Sequence, residues 1–203
     1  MNNDDVKNIN LYESLLKKYK KGFRTLNWGS SKSQIRRFKV LAEIGISSGD
    51  KVLDVGCGLA DFYNWIKKNK LKIKYTGLDM TPGMIKESKK KFPKINFIQG
   101  TINRPNIMSQ NFDYIIASGI FVYIKNNPDK YMKKTISKMY SLSKKGIAFN
   151  SLSSFSLKKN KNEFYANPSD MFNFCKNLTS RVVLRHDYHD NDFTIYMYKD
   201  KRI

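Results

Sequence analysis

The chain has 203 residues, 40% of them hydrophobic, enough for one folded domain with its own core. Its 38 Lys and Arg against 17 Asp and Glu give a formal net charge of +21, so an anionic partner has to be weighed. No stretch nears the roughly 18 uninterrupted apolar residues of a membrane span, the start MNNDDVKNINLYESLL lacks the blocks of a signal peptide, and Cys57 and Cys175 lie far apart without CxxC spacing or a histidine pair.

These features set aside a spanning segment, a disulfide framework and a zinc site. A cytoplasmic protein with reduced thiols, no bound metal and no membrane partner is expected. The charge itself is diffuse. There are 31 Lys against 7 Arg, alongside 20 Asn and 19 Ile, the composition an AT-rich coding sequence produces without selection for a ligand. A phosphate-gripping surface would favour Arg, whose planar fork makes bidentate contacts. The lysines are also scattered in short runs, so a solvated surface is preferred to a nucleic-acid face.

In chain order, two amphipathic segments come first, Leu11 to Tyr19 and Gln34 to Ile44. β-rich runs then alternate with helical patterns. The strands fall at Lys51 to Val55, Lys72 to Leu78, Ile95 to Gln99, Phe112 to Ser118 and Gly146 to Asn150, and the helices at about 60–69, 82–91 and 128–142. Thr81 and Pro82 open the second helix as N-cap and first helical residue. Alternation of this kind predicts a parallel sheet with helices on both faces. RVVLRH (181–186) and FTIYMYK (193–199) are joined by the short DYHDND, too brief for a crossover helix, and so form an antiparallel hairpin. The stretch 151–165 reads as a loop over one end of the sheet. No linker breaks the chain: one domain spans 1–203, with 1–46 as a helical cap on a core of 47–203.

The first strand runs into VLDVGCGLADF. Gly56 and Gly58 let backbone approach a ligand, and the helix that follows offers amide donors. A dinucleotide site has the pattern GxGxxG, but the third position here is Asp61. With Asp54 just before the turn, two acids would repel a pyrophosphate and suit a ligand with a cationic end. Asp79, 21 residues after Gly58 at the end of the second strand, stands where an acid accepts both hydroxyls of a ribose.

Taken together, VLDVGCGLADF, GLDMTPGMI, FIQGTI and FDYIIASGIF, in that order, resemble the motifs of the class I S-adenosylmethionine-dependent methyltransferases, and the lead-in WGSSKSQIRRF is similar to that of a small bacterial subgroup. The resemblance covers nearly the whole chain. It implies a Rossmann-like seven-stranded mixed sheet of order 3-2-1-4-5-7-6 with the last strand antiparallel. Its implied cofactor is S-adenosyl-L-methionine, with Gly56, Cys57 and Gly58 at the methionine part, Asp54 and Asp61 near its end, and Asp79 on the ribose. Met80, Thr101 and Ile102 would lie at the adenine and Ser118 near the sulfonium, while Trp28 is a candidate either to cover the cofactor or to pack the N-terminal helices onto the sheet. Two positions depart from the family pattern: Ala60 replaces a glycine, and Thr101 stands where many members have an acid.

Direct displacement of a methyl from positive sulfur needs alignment more than a base. Where a base is used, Tyr123, Asn150 and His186 are the candidates at the strand ends, each with an ordinary hydrogen-bonding role beside the catalytic one. His189 reads as a turn residue. The expected activity is methyl transfer to a small molecule. Methylation of RNA or protein is the second reading, and a cofactor-binding module without turnover is the third.

Overall fold

The computed structural model describes residues 3–104 and 112–199. Fourteen elements follow one another: α1 (Asn3–Tyr19), a 3₁₀ turn (Phe23–Leu26), α2 (Ser31–Ala42), β1 (Lys51–Val55), α3 (Asp61–Lys68), β2 (Lys74–Asp79), α4 (Pro82–Lys91), β3 (Asn96–Gln99), β4 (Phe112–Ala117), α5 (Pro128–Leu142), β5 (Ser143–Leu152), α6 (Pro168–Lys176), β6 (Val182–Arg185) and β7 (Asp192–Tyr198). The strands make one sheet of order 3-2-1-4-5-7-6. β1 to β5 pair in parallel, while β7 runs antiparallel between β5 and β6.

The central strands are near-continuous apolar runs because both faces are covered. On one face Phe38, Leu41, Phe62, Ile66 and Ile85 bring down α2, α3 and α4. On the other, Met132, Ile136, Met139, Met171 and Cys175 seat α5 and α6. Pro128 and Pro168 start the last two helices at a position that needs no amide donor.

α1, α6 and β5 differ from the sequence expectation, besides shifts of one to three residues at the ends of other elements. α1 begins eight residues earlier, at Asn3, because tertiary contacts bury its polar Asp4, Asp5 and Asn8. α6 is an additional helix, capped by Asn167, whose side chain accepts from the Ser169 and Asp170 amides. β5 extends to Leu152 because β7 pairs with it along its whole far end, Asn150 opposite Thr194 and Leu152 opposite Asp192. Thr81 stands at the start of α4, yet its side chain makes no capping bond there.

Candidate active site

The parallel strands deliver their carboxyl ends to one edge, where a cleft of about 880 Å³, counted to its open mouth, is cut between sheet and N-terminal helix. Its floor is the turn after β1. Gly56 and Cys57 donate their amides to the Leu78 carbonyl at 2.7 and 3.1 Å, tying the turn to β2. Gly56 and Gly58 have φ of +73° and +51°, in the left-handed region. A Cβ on Gly58 would sit 2.5 Å from Leu26 and one on Gly56 would strike Ile120. The glycines therefore serve the fold as well as the cleft. Ala60 adopts the same left-handed geometry, φ +57°, at the start of α3.

Asp79 ends β2 inside the cleft. Its Oδ2 accepts from the Gly58 amide and its Oδ1 from the Thr81 amide, both at 2.8 Å. Burial pushes this carboxyl up while those amide donors pull it back. A carboxylate has about four acceptor positions, so capacity remains for ligand hydroxyls. Met80 and Ile102 lie beside it with Gly100 and Thr101. Thr101 Oγ1 accepts from the Asn103 amide at 3.4 Å, and Tyr131 from α5 also lines the cleft.

Behind Gly56 the cleft opens into a recess of about 330 Å³ that holds Asp54, Asp61, Gln34 and Cys57. Asp54 is buried and accepts from the Tyr75 hydroxyl at 2.7 Å. Burial pushes it up to about 7, against the pull of Tyr75 and with help from the charges of Asp79 and Asp61. Asp61 is already paired, with Lys91 Nζ at 3.1 Å and Gln34 Nε2 at 3.4 Å. The Cys57 thiol, pushed up by burial, is a packed apolar group.

The roof comes from residues that the sequence reading did not single out. Asn8 and Tyr12 of α1 and Leu26 of the 3₁₀ turn line the cleft with Trp28. α1 is fastened at its first turn and again past its middle. Asp4 accepts from the Lys125 and Asn126 amides, and Glu13 from the Gly83 amide at the start of α4. The only sequence trace of this is the i, i+4 spacing of Asp4, Asn8 and Tyr12, which is polar and so escapes a search for apolar stripes.

Beyond Trp28 lies an open hollow of about 550 Å³, bounded by Tyr12, Asn27, Arg37, Tyr123, Leu152 and Glu163. Ser118 and Gly119 form the ridge near this hollow, and Asn150 braces them. Its Oδ1 accepts from the Gly119 amide at 2.8 Å and its Nδ2 donates to Ser118 Oγ at 3.0 Å. Asn150 is 2% exposed and lies outside the lining of cleft, recess and hollow. The Tyr123 hydroxyl accepts from Asn27 Nδ2, and burial, then the Glu163 charge, push its pKa upward. It stays protonated at neutral pH, which suits a donor rather than a base. His186 is placed elsewhere, with Nε2 2.8 Å from Ser153 Oγ and its ring edge-on to Phe155. His189 Nε2 is 3.0 Å from Ser33 Oγ, and its Nδ1 accepts the Asn191 amide.

A family model described as a methyltransferase domain matches residues 46–195. Among curated relatives, the chain is similar to a Mycobacterium tuberculosis protein named as a methyltransferase, 31% identical over 157 residues, covering 72% of this chain and 91% of that one. It is also similar to the ubiquinone/menaquinone biosynthesis C-methyltransferase of Campylobacter jejuni, 27% identical over 118 residues, 54% of this chain and about half (49%) of the relative. Among solved structures, the magnesium protoporphyrin IX methyltransferase of Synechocystis PCC 6803 superposes with a TM-score of 0.68 when it holds S-adenosylhomocysteine and 0.67 when it holds S-adenosylmethionine. Identity in these two is 11% and 14%, and coverage is 97% of this chain and 96% and 98% of that one.

Proposed function

Since this chain belongs to the class I S-adenosylmethionine-dependent methyltransferases, we propose that it transfers the methyl group to a small-molecule acceptor seated in the hollow beyond Trp28. Bound, the cofactor supplies a methyl already activated by positive sulfur. The observation that carries the reading is Asp79, buried between the Gly58 and Thr81 amides with acceptor capacity turned to an apolar-flanked cleft.

In this reading Asp79 accepts the ribose hydroxyls, and Met80 and Ile102 flank the adenine with Thr101 beside them. Gly56 and Gly58 pass the methionine part, and Asp54 in the recess faces its ammonium. Asp61 acts at longer range, because Lys91 already offsets its charge. Ser118 and Trp28 stand between cofactor and acceptor. Tyr123 and Glu163 offer the acceptor a hydroxyl and a carboxylate; holding the reacting atoms in line supplies up to about 7 to 11 kcal/mol of the acceleration. The hollow suits a small molecule because its walls come from α1, the 3₁₀ turn and the loop after β5. The Campylobacter relative and the Synechocystis structure, named for quinone biosynthesis and a porphyrin, support the same acceptor class.

Calorimetry with S-adenosylmethionine and its demethylated product tests the cofactor half, and absence of binding by both would remove it. A cell extract incubated with methyl-labelled cofactor tests the other half. Label in the low-molecular-mass fraction is expected, and label confined to RNA or protein would overturn it.

Asp54 gives this site a pH signature. Its folded-state pKa of about 7 lies above the ordinary carboxylate value, so the free protein loses stability as pH rises from about 4 to 7, where only the folded form still holds the proton. An ammonium beside Asp54 favours the ionised form, so binding releases a proton near neutrality and affinity rises across that range, by at most about tenfold per pH unit. Binding heats in buffers of different ionisation enthalpy measure the release; equal heats would place the ammonium away from Asp54.

A further inference from the structure

The loop from Ser153 to Tyr165, between β5 and α6, inverts the usual partition of polar and apolar side chains. In SSFSL, Ser153 and Ser156 are 0% and 5% exposed, whereas Phe155 is 58% exposed and Leu157 fully so. The inversion is built into the loop by hydrogen bonds. Ser153 N donates to the Asn191 carbonyl and Ser154 N to that of Ala166. Ser156 Oγ lies 2.6 Å from Asn191 Oδ1 and 2.8 Å from the Lys158 carbonyl. Farther along, the Asn160 amide donates to the Tyr165 hydroxyl, and Lys125 Nζ to the Asn162 carbonyl. Ser153 and Ser156 are buried this way, while Phe155 and Leu157 of the same stretch are left exposed. Beside them Lys158, Lys159 and Lys161 are exposed.

We propose that this loop is an interfacial contact that docks the protein on an anionic lipid surface. Aromatic and aliphatic side chains flanked by lysines are the combination that such surfaces take up, the apolar groups entering the acyl boundary and the ammonium groups remaining among the headgroups. The formal charge of +21 favours the same partner at longer range. This is surface docking, distinct from spanning: among the described residues no helix is long and apolar enough to cross a membrane. It departs from the expectation of no membrane partner, which rested on the absence of a span. Leu152 and Glu163, one just before the loop and one within its final residues, both border the hollow beyond Trp28. On the reading of that hollow as the acceptor space, docking brings its mouth to the lipid, and the acceptor is an amphiphilic molecule held there.

Co-sedimentation with vesicles tests the docking without any turnover, so it fails or succeeds independently of the proposed activity. The full chain is expected to pellet with vesicles of phosphatidylglycerol and phosphatidylcholine in equal parts and to stay in solution with phosphatidylcholine alone. The double variant Phe155→Ser, Leu157→Ser keeps every charge and replaces only exposed side chains, yet should partition at least about tenfold less. The triple variant Lys158→Gln, Lys159→Gln, Lys161→Gln should also lose most of its binding. If the double variant pellets as well as the parent, bulk charge alone is acting and the proposal falls. It falls too if the parent ignores both vesicles, or if light scattering shows a dimer of the parent that the double variant cannot form.

Discussion

Replacing Asp79 by alanine is expected to abolish measurable binding of S-adenosylmethionine, a loss of at least about a hundredfold. Two charge-assisted hydrogen bonds to ligand hydroxyls, each worth about 1.5 to 3 kcal/mol, would go together. The Gly58 and Thr81 amides would also lose their acceptor, and with it the shape of the turn that floors the cleft. Asp79→Asn separates these effects. It keeps an oxygen for one amide but removes the charge, so a fold that melts normally with weak binding assigns the loss to the ribose contact. Calorimetry and a melting curve on both variants decide the matter, and an unchanged affinity in Asp79→Ala would show that the hydroxyls bind elsewhere.

Removing Arg37 should have the largest effect on stability. Its Nε pairs with Asp192, its Nη1 donates to Ser33 Oγ, and its guanidinium lies 4.7 Å from the Trp28 ring centroid. The paired side chains are only 7% and 3% exposed. Arg37→Ala leaves the Asp192 charge buried with its principal partner gone, which costs about 3 to 5 kcal/mol. For a chain of this length that lowers the melting temperature by roughly 10 °C. The same substitution removes the cation under Trp28, so tryptophan fluorescence should report a loosened roof before global unfolding. A melting temperature within a degree or two of the parent would mean that the Arg37–Asp192 pair contributes little to the fold.

The alternation of apolar runs and helical patterns made the parallel half of the sheet legible, and β1 and α5 lie where the residues place them. The terminal hairpin was legible from the shortness of DYHDND. α6 was readable in principle, since Asn167 followed by Pro168 is a cap signal. Its nine residues follow a long polar loop, and that context masked it. α1 shows a firmer limit. Its buried residues are the polar Asp4, Asp5 and Asn8, and Asp4 is held by amides more than a hundred residues away, so apolar periodicity cannot register such a face. Within the candidate site, the glycines and Asp79 were legible because backbone geometry and strand ends are local properties. The pairing of Asp61 with Lys91, 30 residues on, was not local, and it decides how much negative charge the recess presents.

The fastening of α1 also bears on time. Asn8 and Tyr12 lie over the cleft, and α1 is held down by Asp4 at the approach to α5 and by Glu13 at the head of α4. On the proposed reading the spent cofactor leaves past this helix, so weakening Asp4 or Glu13 is expected to quicken its exchange while leaving the displacement step as it was.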